Sequence, residues 1–199
     1  MALAPFIAGL GLRPQPVLLD LGPVIESNVR FFGEIGFKVV VEDLSSGIKR
    51  HLSGAAVEEW VAGLEQRLSR ESDAVDGVLC WDIFDYLEPG PAQRLARHLG
   101  RLLKSEGALL AFFGTVDPRS TIRPMYTRHI VIDRGHLEYQ ARKTSVAKQR
   151  PWLNRDIKRL FEPLCMTELF LLDTHVREVL FCQPPGVGVD MLVAPPAGQ

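Results

Sequence analysis

The sequence has few cysteines and almost no net charge. Its 199 residues include three cysteines, and the formal net charge is −1. An odd number of widely spaced cysteines in apolar runs argues against a disulfide framework or a zinc site. We predict three buried free thiols, Cys80, Cys165 and Cys182, and no bound metal. A net charge near zero excludes a global field that would recruit nucleic acid or a membrane.

Long hydrophobic runs and secretory signals are also missing. No run approaches the roughly 20 apolar residues of a membrane span, so no membrane partner is expected. Segment 1–12 is apolar but lacks a basic start and a small-residue cleavage signature. We interpret it as a short helix that packs on the domain through Leu3, Phe6, Ile7 and Leu10. Together these features predict a cytoplasmic protein.

Strand-like and helix-like segments alternate through the first half of the chain. Short apolar runs predict buried strands at 16–21, 37–41, 77–82 and 108–113. Helical periodicity predicts helices at 27–35, 55–69 and 91–104. This order is typical of parallel strands joined by right-handed helical crossovers.

The second half has a different pattern. Segments 129–132 and 137–141 flank a turn at 133–136 and predict a β-hairpin. Asn154 is the expected N-cap of a helix at 155–162, and two antiparallel strands follow at 166–172 and 177–182. We therefore predict an α/β fold with a doubly wound, mostly parallel sheet, C-terminal antiparallel strands and an inserted hairpin. The expected organisation is one domain (1–183, insertion about 119–153) and a Pro/Gly-rich tail (184–199).

Three parts of the sequence resemble the class I S-adenosylmethionine-dependent methyltransferases. Segment 17–22 is similar to the first strand and opening glycine of the family's cofactor motif, and segment 41–45 to the end of the second strand. Segments 76–87 and 102–110 are similar to the fourth strand, its loop and the approach to the fifth strand. The resemblance implies a Rossmann-like methyltransferase fold and an S-adenosylmethionine site built from Asp20, Gly22, Glu42, Asp43 and Asp82.

Asp82 is the last residue of the strand predicted at 77–82, and Asp85 follows three residues later. Carboxylates at the C-terminal ends of parallel strands lie where ligands bind in such folds. The resemblance implies that both flank the methyl acceptor, where either could act as a base or orient an amine. The structural alternative is that Asp82 ends the strand and Asp85 caps a short helix. Tyr86 is either a wall of the acceptor pocket or part of the core.

The predicted cofactor loop departs from the family's Gly-x-Gly-x-Gly pattern. It reads Gly22-Pro23-Val24-Ile25-Glu26, so Val24 and Glu26 stand where the second and third glycines are expected. A β-branched residue disfavours positive φ and projects a side chain toward the ligand, and a carboxylate would repel that of the cofactor. We predict that the usual cofactor pose is lost. The G-x-G-x-x-G pattern of nicotinamide dehydrogenases is absent as well.

The stretch between Asp43 and Gly77 is short for the family. Segment 48–52 is at most a stub of the third strand. Asp73 and Asp76 are the candidates for the acid that recognises adenine, and a solvated turn is the competing interpretation of both.

Positive charge is concentrated between residues 119 and 159. That segment has eleven Lys and Arg against three acids, an excess of eight. It either binds an anionic partner or forms a solvated hairpin and helix. The candidate residues for a substrate or partner are Tyr86, Arg128, Tyr139 and Arg155.

Three functions remain open at this point. The first is a methyltransferase-like pseudoenzyme that binds a small molecule or protein through a remodelled cleft. The second is an active S-adenosylmethionine-dependent methyltransferase acting on a small molecule or protein. The third is an anion- or nucleic-acid-binding module that uses the basic insertion. The degenerate loop favours the first.

Overall fold

The structure is a computed structural model that describes residues 1–44, 59, 62–63, 66–67, 74–115, 125–143, 148 and 151–185. Five residues of the helix predicted at 55–69 are described, and all five are helical. The inward-facing residues predicted for that helix, the strand stub at 48–52, Asp73 and the tail from residue 186 lie outside the described residues.

The described elements follow the predicted order. The helices are α1 (Leu3–Leu10), α2 (Glu26–Glu34), a 3-10 helix (Ile83–Tyr86), α3 (Pro89–Leu102) and α4 (Asn154–Leu160). The strands are β1 (Val17–Asp20), β2 (Lys38–Val41), β3 (Val75–Trp81), β4 (Leu103–Gly114), β5 (Met125–Asp133), β6 (His136–Lys143), β7 (Cys165–Leu171) and β8 (Val176–Cys182).

The main sheet has the strand order β2-β1-β3-β4-β8-β7, and β5 and β6 form a separate hairpin. The first four strands are parallel, whereas β8 runs antiparallel to β4 and β7 antiparallel to β8. The predicted fold class is therefore confirmed: a mostly parallel α/β sheet with C-terminal antiparallel strands and an inserted hairpin.

Each face of the sheet carries its own core. On one face, α3 and α4 pack through residues such as Leu95, Leu99 and Ile157. On the other face, α1 and the hairpin pack beside α2. The predicted contact face of α1 is confirmed, since Leu3, Phe6, Ile7 and Leu10 are all buried. A Cβ at Gly77 would meet the side chains of Leu10 and Phe6, so glycine lets α1 approach β3 closely.

Two local predictions are wrong. Leu153, not Asn154, is the N-cap of α4; Asn154 is its first residue, and its Oδ1 accepts a hydrogen bond from Arg177 (2.6 Å). Asp76 is not in a solvated turn but lies inside β3, 3% exposed. Its carboxylate is held by Arg13 (2.7 Å) and Lys104 (2.9 Å), which compensate the charge.

The cysteines are all free thiols, but only one of them is buried. Cys80 lies in the core, Cys182 is half-buried, and Cys165 is exposed at the start of the edge strand β7. The prediction of three buried thiols is therefore wrong for Cys165 and Cys182. Every residue of β7 is exposed or half-buried, whereas β3, which carries Cys80, is buried throughout.

We expect the three thiols to react at very different rates. Cys165 should react with a disulfide reagent at once, whereas Cys80 should require unfolding because it is inaccessible and burial raises its pKa. Reaction with 5,5′-dithiobis(2-nitrobenzoate), followed with and without denaturant, measures this. A Cys165→Ala variant should lose the fast phase; equal rates for all three thiols would contradict the core placement of Cys80.

Candidate functional site

Three predicted acids lie along the C-terminal edge of the parallel strands. Asp20 is the last residue of β1, Asp43 comes two residues after β2, and Asp82 directly follows β3. The parallel pairing of these strands places their ends on one edge. Asp43 lies close enough to Asp20 for its charge to raise the pKa of the Asp20 carboxyl.

The Asp20 carboxylate is buried and bound by the protein itself. Its Oδ1 accepts hydrogen bonds from the Gly22 amide (2.9 Å) and from the Trp81 indole nitrogen (2.6 Å). Both donors are neutral. Burial outweighs them and raises the pKa of Asp20 to about 6.

Trp81 covers the loop that follows β1. Its backbone has φ of 51°, a left-handed conformation that is uncommon for a bulky residue. A Cβ placed on Gly22 would lie 2.6 Å from Cδ1 of the indole. The indole therefore occupies the space directly against the Gly22 backbone.

The hairpin closes over the same region. Asn28, in the first turn of α2, donates from Nδ2 to the His129 carbonyl and accepts from the Val131 amide, both at 2.9 Å. The His129 ring stacks on Trp81 with centroids 5.1 Å apart. Burial lowers the pKa of His129 to about 4, so this stack is neutral near pH 7.

A second group of charged residues lies just beyond β3. The ammonium of Lys148 is 2.8 Å from Oδ2 of Asp82 and 2.9 Å from Oδ2 of Asp85. It also lies 5.4 Å from the centre of the Tyr86 ring. Burial disfavours the ammonium, but the two carboxylates outweigh this and raise the pKa of Lys148. Burial raises the pKa of Asp85, and the charge of Lys148 opposes that rise.

A groove of about 830 Å³ lies between the starts of α3 and α4. Its lining includes Leu87, Glu88, Trp152, Arg155 and Arg159. The Trp152 indole donates to the Phe84 carbonyl (3.0 Å), which links the groove to the 3-10 helix that carries Asp85. This opening has mixed polarity and adjoins the elements that build the Lys148 cluster.

Several solved methyltransferase structures are similar to this chain in architecture. One is the 1,6-didemethyltoxoflavin-N1-methyltransferase of Burkholderia thailandensis, solved with S-adenosylhomocysteine. The two structures align with a TM-score of 0.57 and 18% sequence identity, and the alignment covers 92% of this chain and 76% of that chain. Another, from Galdieria sulphuraria, is provisionally described as a sarcosine dimethylglycine methyltransferase. Its TM-score is 0.54 at 14% sequence identity, and the alignment covers 92% of this chain and 84% of that chain. No family model and no curated protein matches the sequence.

The chain has the class I methyltransferase fold. At identities below 20% the likeness concerns architecture, and a shared fold does not establish a shared activity.

Within this methyltransferase fold, the predicted site residues fall into separate groups. Asp20, Gly22 and Asp43 surround the end of β1, while Asp82, Asp85 and Tyr86 form the Lys148 cluster. Glu42 is held by Arg67 at 2.8 Å.

The remaining candidates lie on the hairpin and α4. Arg128 pairs with Gln140 and Tyr139 with His129, so Arg128 and Tyr139 project from opposite faces of the hairpin. Tyr139 faces the sheet and donates to Glu178 (3.2 Å). Arg155 lines the groove and pairs with Asp156 at 3.4 Å.

Sequence reasoning missed four residues that shape this site: Asn28, Trp81, His129 and Lys148. Trp81 immediately precedes Asp82 at the end of a predicted strand, and this position is the sequence feature that could have identified Trp81 as part of the site. Lys148 entered only as one charge in the basic segment, because its partners lie more than 60 positions away.

Within the described ranges, no set of three or more His, Cys, Asp or Glu side chains is arranged to hold a metal ion. No described helix combines the length and the apolar character required to cross a membrane.

Proposed function

We propose that this protein is a methyltransferase-fold binding protein that does not methylate. The observation that carries the proposal is the Trp81 indole, which occupies the space over Gly22 and donates to Asp20. The cofactor loop of the fold must leave its backbone open to a ligand. Here a side chain of the protein covers that backbone.

The residues of the loop do not fit S-adenosylmethionine. The first retained acid, Asp20, already accepts two hydrogen bonds from the protein. Val24 is 66% exposed, and Glu26 is exposed at the start of α2, where glycines are expected. A ligand carboxylate placed there would meet the Glu26 carboxylate at a helix start that would otherwise attract anions.

The docked hairpin supports the same conclusion. Both hydrogen bonds of the Asn28 amide go to the backbone of β5 and are buried, and His129 stacks on Trp81. Opening the cleft would require breaking the Asn28 bonds and separating the two rings. Buried hydrogen bonds are expensive to leave unmade, so the closed arrangement is stable.

A ligand therefore has to use another part of the sheet edge. The Lys148 cluster and the groove between α3 and α4 lie on the side of Asp82 and Asp85. We expect a small molecule or a protein partner to bind there. The net charge of −1 and the paired cations Lys148 and Arg155 make a nucleic acid the weaker candidate.

Isothermal titration calorimetry with S-adenosylmethionine tests the proposal. The wild-type protein should give no binding heat at about 1 mM cofactor, which corresponds to less than about 4 kcal/mol of binding free energy. Trp81→Gly removes the indole and relieves the positive φ, so this variant should gain measurable heat. Trp152→Ala removes an indole from the other face of the sheet and should gain none.

Two results would contradict the proposal. Micromolar binding to the wild type would favour the active methyltransferase, for which the acids Asp20, Asp43 and Asp82 at the strand ends are the supporting observation. A folded Trp81→Gly variant that still binds nothing would contradict the indole as the main obstacle and would leave Val24, Glu26 and the docked hairpin as the cause.

A further inference from the structure

The carboxylates beyond β3 hold a primary ammonium group. Lys148 contacts Asp82 and Asp85 at 2.8 and 2.9 Å, and its nitrogen lies 5.4 Å from the centre of the Tyr86 ring. An ammonium within about 6 Å of a ring centre is attracted by the negative face of the π system. Two carboxylates and one aromatic face thus surround a single compact cation.

The three residues around the Lys148 ammonium belong to one short segment of backbone that does not include Lys148. Asp82, Asp85 and Tyr86 lie within five residues of one another, on and just before the 3-10 helix. Asp85 is anchored by the Gly114 amide, which donates to its Oδ2 at 2.9 Å. Lys148 is 63 positions away from Asp85 in sequence. Asp85 therefore keeps a support of its own when the lysine is removed.

The three side chains around Lys148 have more hydrogen-bonding capacity than Lys148 uses. Oδ1 of Asp85 is buried and has no hydrogen-bond partner among the described residues, and the buried Tyr86 hydroxyl lies close to the Asp82 carboxylate. Asp85 and Tyr86 are only 4% and 7% exposed. Buried polar atoms are nearly always paired, so Oδ1 of Asp85 indicates a ligand with more hydrogen-bonding groups than one lysine brings. With both carboxylates ionised, the three charged side chains also carry one excess negative charge.

We propose that Asp82, Asp85 and Tyr86 form a binding site for a primary alkylammonium ligand, which Lys148 occupies until that ligand displaces it. The ligand is either a free alkylamine or the side chain of a partner's lysine, since both present the same group. This inference rests on the proposed function, because it names the class of ligand that is bound rather than methylated. The primary ammonium is chosen because it is the compact point charge that Lys148 itself places between the two carboxylates.

Chemical rescue of Lys148→Ala tests the site. Removing the ammonium leaves two carboxylates unpaired, so the variant should melt lower than the wild type. About 50 mM n-butylammonium chloride should raise its melting temperature by about 3 °C or more, and the wild type's by less than 1 °C. Tetramethylammonium chloride at equal concentration should not do so, because it has no N–H to donate. Lys158→Ala, which removes an exposed lysine of α4, should behave as the wild type.

The source of the ammonium is distinguished by a second ligand. If Nα-acetyl-lysine methylamide rescues Lys148→Ala at a lower concentration than n-butylammonium does, the ligand is a partner's lysine. If n-butylammonium rescues at the lower concentration, the ligand is a free amine. Equal responses of Lys148→Ala and the wild type to n-butylammonium, or equal rescue by tetramethylammonium, would overturn the site.

A measurement on the wild-type protein covers the case in which Lys148→Ala does not fold. Reductive methylation read by mass spectrometry should modify Lys148 much more slowly than Lys158, and Nα-acetyl-lysine methylamide should accelerate the modification of Lys148 selectively. Unchanged labelling of Lys148 would overturn the proposal. Cofactor binding by the wild type would refute the non-catalytic function, yet it would leave rescue and labelling unaffected.

Discussion

Replacing Asp20 with asparagine is expected to stabilise the protein by about 3 kcal/mol at pH 8. Burial raises the pKa of the Asp20 carboxyl by about two units, and this lowers the free energy of unfolding by about 3 kcal/mol once the carboxyl is ionised. Asparagine keeps the Oδ1 acceptor for the Gly22 amide and the Trp81 indole. It removes the buried charge and puts an amide NH2 in place of Oδ2. Urea unfolding of both proteins at several pH values measures the difference.

The sign of the pH dependence follows from the raised pKa of Asp20. Above pH 6 the native state holds an ionised carboxylate that burial disfavours, so the wild type is penalised and Asp20→Asn is not. As the pH falls through about 6 toward the unfolded value of 3.8, the native carboxyl becomes protonated and the advantage of the variant disappears.

An exposed acid provides the control for this experiment. Asp133→Asn removes a carboxylate that lies on the surface, and it should not reproduce the gain at pH 8. An advantage of Asp20→Asn that stays constant from pH 4 to pH 8 would contradict burial as its cause. A loss of stability at pH 8 would mean that the ionised carboxylate is favoured in the fold.

The fold could be predicted because its determinants are local. Short apolar runs marked the strands of the parallel sheet, and the turn at 133–136 marked the hairpin between β5 and β6. The periodicity of Leu3, Phe6, Ile7 and Leu10 identified the buried face of α1 correctly. Each of these patterns depends on neighbours within a few residues.

The candidate site was predictable only in part. The loop without its second and third glycines and the acids at the strand ends were visible in the sequence. The covering of Gly22 was not, because it depends on the left-handed backbone of Trp81. Likewise, Lys148 is defined by partners more than 60 positions away, and a run of basic residues does not reveal which one is buried.

Asp76 shows most clearly why burial of a charged residue escapes local reasoning. An aspartate next to a glycine is typical of a turn, yet Asp76 lies within β3. Its Oδ1 accepts from Arg13, and its Oδ2 accepts from Lys104 and the Val17 amide, at 2.7 to 2.9 Å. Three donors from separate parts of the chain make the buried charge tolerable, and none of them is a sequence neighbour.

Asp76→Ala is therefore expected to destabilise the protein by about 3 kcal/mol or more, the usual loss when one partner of a buried ion pair is removed. Arg13 and Lys104 are 24% and 38% exposed, so water can partly reach their stranded charges, which places the expected loss near the lower end. Asp156→Ala breaks an exposed pair with Arg155 and should cost less than about 1 kcal/mol. Urea unfolding at pH 7 compares the three proteins.

The same carboxylate predicts acid sensitivity of the wild type. Burial opposes its ionisation, but the hydrogen bonds from Val17, Lys104 and Arg13 outweigh burial and lower the pKa of Asp76. Its contribution is therefore fully present above pH 3.8 and is lost as the pH falls through the lower native value. The gap between wild type and Asp76→Ala should persist from pH 7 to pH 4 and narrow below. If the difference in unfolding free energy already disappears near pH 6, Asp76 is not held by Arg13 and Lys104. Arg13 lies between α1 and β1, so that connection would then be fixed by the apolar contacts of α1 alone.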